Sequence, residues 1–191
     1  MHFDHHDRLG IIIDGANTHA ASKVLGFDID YKRLLQFARD RGRLVRAEYY
    51  TAVLDDADSE YSSIRPLVDW LDYNGFAVKT VPGKNISDIP GRRVVRSSNN
   101  IEITLGMVRM ARNVDHVLLF SGHGEFRSPV AFVQSEGVKV SVISTLKTAQ
   151  PFIADEVRRQ ADQFIELDDL KEHIGRAADA RTPRLVRRAA E

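Results

Sequence analysis

At 191 residues and 43% hydrophobic, the chain has the size of one domain with short tails and enough apolar mass for a core, which excludes global disorder. Lys+Arg and Asp+Glu balance at 27 each, so there is no coat of basic charge suited to duplex DNA, although a local basic patch stays open. The absence of cysteine excludes disulfides, thiolate zinc sites and cysteine nucleophiles, and it suits a reducing, cytoplasmic setting.

No apolar run approaches the roughly 20 residues that span a bilayer, so no membrane partner is expected. Met1 to Gly10 is polar and rich in His and Asp, without an apolar signal-peptide core. Residues 1–7 read as a flexible extension, 8–174 as the domain, and the Ala/Arg-rich 175–191 as a flexible basic tail.

Leu9 to Ile13 is apolar throughout and ends in Asp14, the pattern of a strand buried on both faces. Asp28 or Asp30 caps a helix carrying Tyr31, Leu34, Leu35 and Ala38, with Gly42 as its stop. Leu44 to Val53 reads as a second strand. Tyr61 to Leu71 has helical spacing, with Pro66 starting or kinking the main helix. Phe76 to Val81 is a third strand, and Pro82 to Arg96 a long loop or ribbon.

Asn100 to Arg112 is helical, with Ile101, Leu105 and Val108 on one face. Val117 to Phe120 is a fourth strand, followed by Ser121-Gly122-His123-Gly124-Glu125 and a helix to about Glu136. Val138 to Ile143 is a fifth strand, Pro151 opens a helix through about Ala161, and Phe164 to Leu167 is a short last strand. This alternation predicts an α/β fold: a mostly parallel sheet of five to six strands with helices on both faces. Ligands of such sheets gather at the carboxyl ends of strands, which selects Asp14 to Asn17 and Ser121 to Glu125.

Asp14 is either a helix-cap or turn Asp or a carboxylate at the sheet rim. His123 and Glu125, two residues apart in a Gly-rich turn, are potential metal ligands, against the plain reading of a strand–helix turn. Glu102 is a first-turn Glu meeting the helix dipole. Arg92, Arg93 and Arg96 are solvated or hold phosphates. His2, His5, His6, Asp4 and Asp7 form a poorly preorganised cluster for a metal. No GxxxxGK[ST] motif occurs and no GxGxxG follows the first strand, which counts against a P-loop NTPase and a standard dinucleotide site. Ser121 lacks the GxSxG context of a hydrolase nucleophile.

The runs Ile11-Ile12-Ile13-Asp14-Gly15-Ala16-Asn17, Leu71-Asp72-Tyr73-Asn74-Gly75-Phe76, Phe120-Ser121-Gly122 through Phe126-Arg127, Val140 to Thr145 and Ala154 to Asp162, taken in this order, resemble the NYN domain family, LabA-like relatives of the PIN nucleases. The resemblance covers about residues 8 to 170. It implies a PIN-like three-layer sandwich and Mg²⁺- or Mn²⁺-dependent cleavage of RNA, in which acidic residues hold the metal and the metal activates water. Asp14 and Asn17 match the family pattern. Asn100, His123 and Glu125 fall where the family has Asp, Gly106 falls where a second helical Asp is common, and Ser97 replaces a Gly beside Arg96.

The implied catalytic and metal set is Asp14, Asn100, His123 and Glu125. Asn17, Arg93, Arg96, Ser121 and Arg127 are the implied substrate contacts. Four carboxylates at the matched positions would carry about −4, whereas Asp14 and Glu125 carry about −2, which weakens Mg²⁺ capture. His123 favours Mn²⁺, Zn²⁺ or Ni²⁺ over Mg²⁺. Three functions follow: a metal-dependent RNase of altered metal preference; a degenerate module that binds RNA or a protein partner without cleavage; and, because fold does not fix function, a small-molecule enzyme. Homo-oligomerisation is open.

Overall fold

The structure, a computed structural model, describes residues 2–54, 64–85, 95–96 and 99–176. The strands are β1 (Arg8–Asp14), β2 (Arg43–Leu54), β3 (Ala77–Asn85), β4 (Val95–Arg96), β5 (His116–Phe120), β6 (Lys139–Ser144) and β7 (Gln163–Glu166). The helices are α1 (Gly15–Val24), α2 (Tyr31–Arg39), α3 (Arg65–Tyr73), α4 (Asn100–Ala111), α5 (Arg127–Ser135), α6 (Asp155–Gln160) and α7 (Lys171–Ile174), with 3-10 turns at Gly124–Phe126 and Leu167–Leu170.

The sheet order is β4-β3-β2-β1-β5-β6-β7. Six strands run parallel, and the two-residue β4 pairs antiparallel with the end of β3. The expected ribbon thus exists as a short β3–β4 pairing, which adds a strand to the count expected from sequence. β1 lies between β2 and β5. The chain therefore builds outward from β1 on one side, then crosses over and builds outward on the other.

β1 is buried on both faces, as its apolar run predicts. Leu9, Ile11, Ile12 and Ile13 are all 0% exposed. Ile11 and Ile13 join the core under α1, α2, α3 and α7, while Ile12 joins the core under α4, α5 and α6. Both cores together make the three-layer sandwich. Asp30 caps α2, its carboxylate accepting the N–H groups of Lys32 and Arg33 at 3.0 and 3.1 Å. Pro66 sits in the first turn of α3, where its missing N–H costs nothing; Tyr61 lies outside the described residues.

Three points are decided or change. A helix starts directly at Gly15, which selects the helix cap over the turn for Asp14. Pro151 does not open a helix; α6 begins at Asp155. The α4 face of Ile101 and Leu105 points outward, at 70% and 53% exposure, and the buried stripe is Ile103, Gly106, Met107 and Met110. Both stripes have helical spacing, so periodicity alone could not choose between them. No helix among the described residues is long and apolar enough to cross a membrane.

Residues near both ends of the described chain pack on the domain. Phe3 packs edge-on to Phe37 at 6.2 Å and stacks on His116 at 5.6 Å. Asp7 meets Lys139 at 3.2 Å. Gly175 bridges to Ile29 and the Arg176 N–H donates to the Asp28 carbonyl at 2.8 Å; residues 177–191 lie outside the described residues.

His116, with its side chain 3% exposed, lies beneath this N-terminal segment. Its Nε2 is 2.8 Å from Ser141 Oγ, and its Nδ1 has no hydrogen-bond partner. Burial pushes its pKa below the ordinary 6.5, opposed by the pull of Asp7 and reinforced by Lys139. The unfolded chain then binds more protons than the folded one between that lowered value and 6.5, so stability falls as pH drops through this window. Thermal midpoints measured from neutral to mildly acid pH should fall for the wild type and flatten in His116→Gln, which cannot titrate. An identical slope in the two proteins would contradict this role.

Candidate active site

Asp14 ends β1 and is 4% exposed. Its Oδ1 accepts the Asn17 N–H at 3.3 Å, capping α1. The helix-cap reading is therefore true, but the carboxylate does more. Its Oδ2 accepts the Ser121 hydroxyl at 2.9 Å, and His123 Nε2 stands 3.5 Å away. Asn17 Oδ1 accepts the Gly122 N–H at 3.2 Å, and the Thr18 hydroxyl donates to the Phe120 carbonyl at 3.0 Å. These bonds stitch the end of β1 and the start of α1 to the end of β5. The two strands flank the reversal of strand order, the place where α/β sheets bind ligands.

The turn after β5 is held from the far side as well. Gly122 lies so close to α6's lead-in that a β-carbon would collide with the Phe152 carbonyl. The Ala154 N–H donates to the Gly122 carbonyl at 2.9 Å. Phe126, 1% exposed, anchors the turn and sets its ring edge-on to His123 at 6.4 Å. His123 itself is half open to solvent, at 51%, so the buried Asp14 carboxylate meets the surface through an accessible imidazole.

The four expected ligands fall into two pairs. Asp14 and His123 form one. Asn100 and Glu125 form the other, with Asn100 Nδ2 donating to Glu125 Oε2. Among the described residues, no three His, Asp or Glu side chains group closely enough to hold a metal ion. This holds for the N-terminal His/Asp cluster too, where Asp4 instead accepts the His6 N–H at 2.9 Å.

The first pair nonetheless fits a cation. Two donors on one tetrahedral ion, each bonded at about 2.1 Å, stand about 3.4 Å apart, close to the 3.5 Å between His123 Nε2 and Asp14 Oδ2. An imidazole–carboxylate pair suits Mn²⁺ or Zn²⁺ better than Mg²⁺.

The expected substrate contacts divide as well. Ser121 is 1% exposed, and its hydroxyl is spent on Asp14. Asn17 is partly buried and holds the turn. Arg127 is exposed at the head of α5. Arg96 enters the sheet opposite Lys84; its side chain, and Arg93 and Ser97 altogether, lie outside the described residues.

Sequence reasoning missed what replaces a side chain at Gly106. A β-carbon there would collide with the Tyr50 hydroxyl and come within 3.0 Å of Glu48 Oε2. Tyr50 is the register partner of Asp14 on β2, and its hydroxyl donates to the Glu48 carboxylate. Burial first, and then this hydrogen bond, push the Tyr50 pKa well up, so it stays a neutral donor. The only sequence signal was a Glu set between Ala47 and the Tyr49-Tyr50 pair of a strand. Gly106→Asp should therefore fail to restore an acid and should cost about 1–3 kcal/mol through overpacking. A lowered thermal midpoint, with a smaller drop in a Tyr50→Phe background that lacks the colliding hydroxyl, checks it.

Comparison with known proteins agrees with this architecture. A family model of the NYN domain matches residues 8–168. The chain is 32% identical, over 87% of its own length and 87% of the relative's, to the "Low amplitude and bright protein LabA" of Synechococcus elongatus. A crystal structure of a protein of unknown function from Vibrio parahaemolyticus superposes with a TM-score of 0.68 at 24% identity, covering 92% of this chain and all of that one; it supports the fold alone. With residues 8–168 matched and the sheet, switch point and Asp14 in place, the chain belongs to the NYN domain family.

Proposed function

We propose that the Asp14 crevice is a metal-dependent ribonuclease site of the PIN-like kind, weakened and shifted in metal preference from Mg²⁺ toward Mn²⁺. The observation that carries this reading is the buried Asp14 carboxylate at the switch point with His123 Nε2 at 3.5 Å. Asp14 and His123 are the residues that hold the cation. When bound, a divalent ion supplies charge stabilisation for the phosphoryl transition state and lowers the pKa of water.

The chain's own residues do the rest. Ser121 and the Asn17 N–H fix the Asp14 carboxylate in orientation. Asn17 fixes the backbone that carries His123. Arg127, exposed at the head of α5, and Arg96, on the family resemblance alone, supply positive charge for phosphodiester oxygens. Single-stranded RNA is the expected substrate, because its unstacked bases are open to side chains beside the cleaved phosphodiester.

One observation favours a second reading, a module that binds RNA or a protein partner without cleaving. Asn100 engages Glu125, so the second carboxylate is partly spent before any metal arrives. Labelled RNA incubated with purified protein in Mg²⁺, Mn²⁺, Zn²⁺ or EDTA separates the two. Cleavage fastest in Mn²⁺ and abolished by EDTA supports the nuclease. RNA binding without cleavage in any metal supports the module.

A further inference from the structure

A second depression adjoins the turn that carries His123. Arg127, Asp155, Glu156, Arg159 and Gln160 line a cleft of about 360 Å³ between the head of α5 and α6. The cleft is coupled to the candidate site through the backbone. Arg127 directly follows Phe126, and a β-carbon on Gly124 would collide with the Glu156 carboxylate. Glu156 therefore rests against the turn itself.

One wall is pinned. Gln160 Nε2 donates to Gln134 Oε1 at 2.8 Å, while Gln134 Nε2 donates back to the Gln160 carbonyl at 2.8 Å and to Asp162 Oδ2 at 2.9 Å. This reciprocal clasp fixes α6 on α5. Arg159 is also oriented, its Nε held by Asp155 at 2.6 Å, which leaves its two terminal nitrogens to donate elsewhere. Glu156 and Arg127 form no ion pair among the described residues.

Charge decides what such a cleft takes. Two guanidinium groups and two carboxylates cancel, so a bare phosphate gains little. Donors and acceptors side by side match the edge of a nucleobase instead. A carboxylate needs two adjacent N–H donors to satisfy both oxygens, and among the four RNA bases guanine supplies them, at N1 and N2. A guanidinium end matches guanine O6 and N7, the commonest base contact of arginine. The volume is at the small end of the range for clefts that take small organic groups, about 300–1,000 Å³.

We propose that this cleft receives a guanine of single-stranded RNA next to the phosphodiester at Asp14, with Glu156 accepting from N1–H and N2–H and Arg159 donating to O6 and N7. The inference rests on the RNA-substrate reading above.

The test uses the full chain carrying Asp14→Asn, with Mn²⁺ present, and fluorescence anisotropy on short labelled oligouridines containing one central guanosine, inosine, adenosine or cytidine. Guanosine should tighten binding about 10-fold over uridine, within the worth of one bidentate base contact. Inosine, lacking N2, should recover only part of that gain. Glu156→Gln with Arg159→Ala, both at exposed positions, should erase the preference for guanosine over uridine. Equal affinity for all four bases, or a preference that survives both substitutions, overturns the guanine cleft and leaves the RNA reading standing. Failure to bind any of the RNAs overturns the RNA reading, and the cleft assignment falls with it.

Discussion

Asp14→Asn is expected to lower Mn²⁺-dependent RNA cleavage by about 100-fold or more while leaving the fold intact. The magnitude follows from displacing or losing one cation ligand, since a misplacement of about 1 Å already costs on the order of 100-fold. The clean separation of chemistry from folding follows from the local structure. Asp14 caps α1, and Asn is as good a cap as Asp. The single amide oxygen keeps the Asn17 N–H, and the Ser121 hydroxyl, which faces the other arm of the carboxylate, turns to accept from the amide nitrogen. What disappears is the negative charge beside His123. Asp14→Ala is the informative contrast, because it also removes the cap, at a cost of about 1 kcal/mol, and leaves the Ser121 hydroxyl buried without its acceptor. The check is single-turnover cleavage of labelled RNA beside a thermal melt of each variant. Wild-type cleavage rates in Asp14→Asn would overturn the assignment of Asp14 as a cation ligand.

The second large effect is a gain. The combined change Asn100→Asp, His123→Asp and Glu125→Asp raises the carboxylate charge from about −2 to about −4, the level at which hard cations are held by oxygen. It also shortens the side chain at 125 and breaks the amide-to-carboxylate bond between Asn100 and Glu125. Cleavage in Mg²⁺ should rise on the order of 100-fold and the Mn²⁺ preference should fade. The apoprotein should melt earlier, because like charges then crowd one site, and added Mg²⁺ should restore the midpoint by mass action. Gly106 is left alone in this design, since the Tyr50 hydroxyl occupies the space a side chain would need. Unchanged Mg²⁺ activity together with an unchanged metal-free midpoint would show that these positions do not face one cation.

Much of the scaffold was legible because its signals are local. The uninterrupted apolar run of β1 announces burial on both faces, Asp30 announces the start of α2, and Pro66 announces the start of α3. Local signals also explain the failures. Gly15 to Val24 has little amphipathic contrast, so the helix that Asp14 caps is legible only as one of two readings of that Asp. On α4 two apolar stripes compete, and only packing against β1 and β2 decides that Ile103, Met107 and Met110 go inside and Ile101 and Leu105 stay out. At Pro151 a breaker was read as a start, while the backbone runs on, turned back by the contact of Phe152 and Ala154 with Gly122.

At the candidate site the division is sharper. The sequence by itself determined the alternation of strands and helices, the donor chemistry available at residues 14, 100, 123 and 125, and the shortfall in negative charge, because residue type and spacing carry that information. Only the tertiary structure decided the grouping of those donors. Asp14 and Ser121 are 107 positions apart in the chain, and they meet because β1 and β5 pair at the point where strand order reverses. The same packing sets Asn100 on Glu125, buries Ser121 under Asp14, and fills the space beside Gly106 with a tyrosine from the other neighbouring strand. Such meetings depend on which strands pair and which helix faces turn inward, and neither is written in any window of sequence short enough to carry a period.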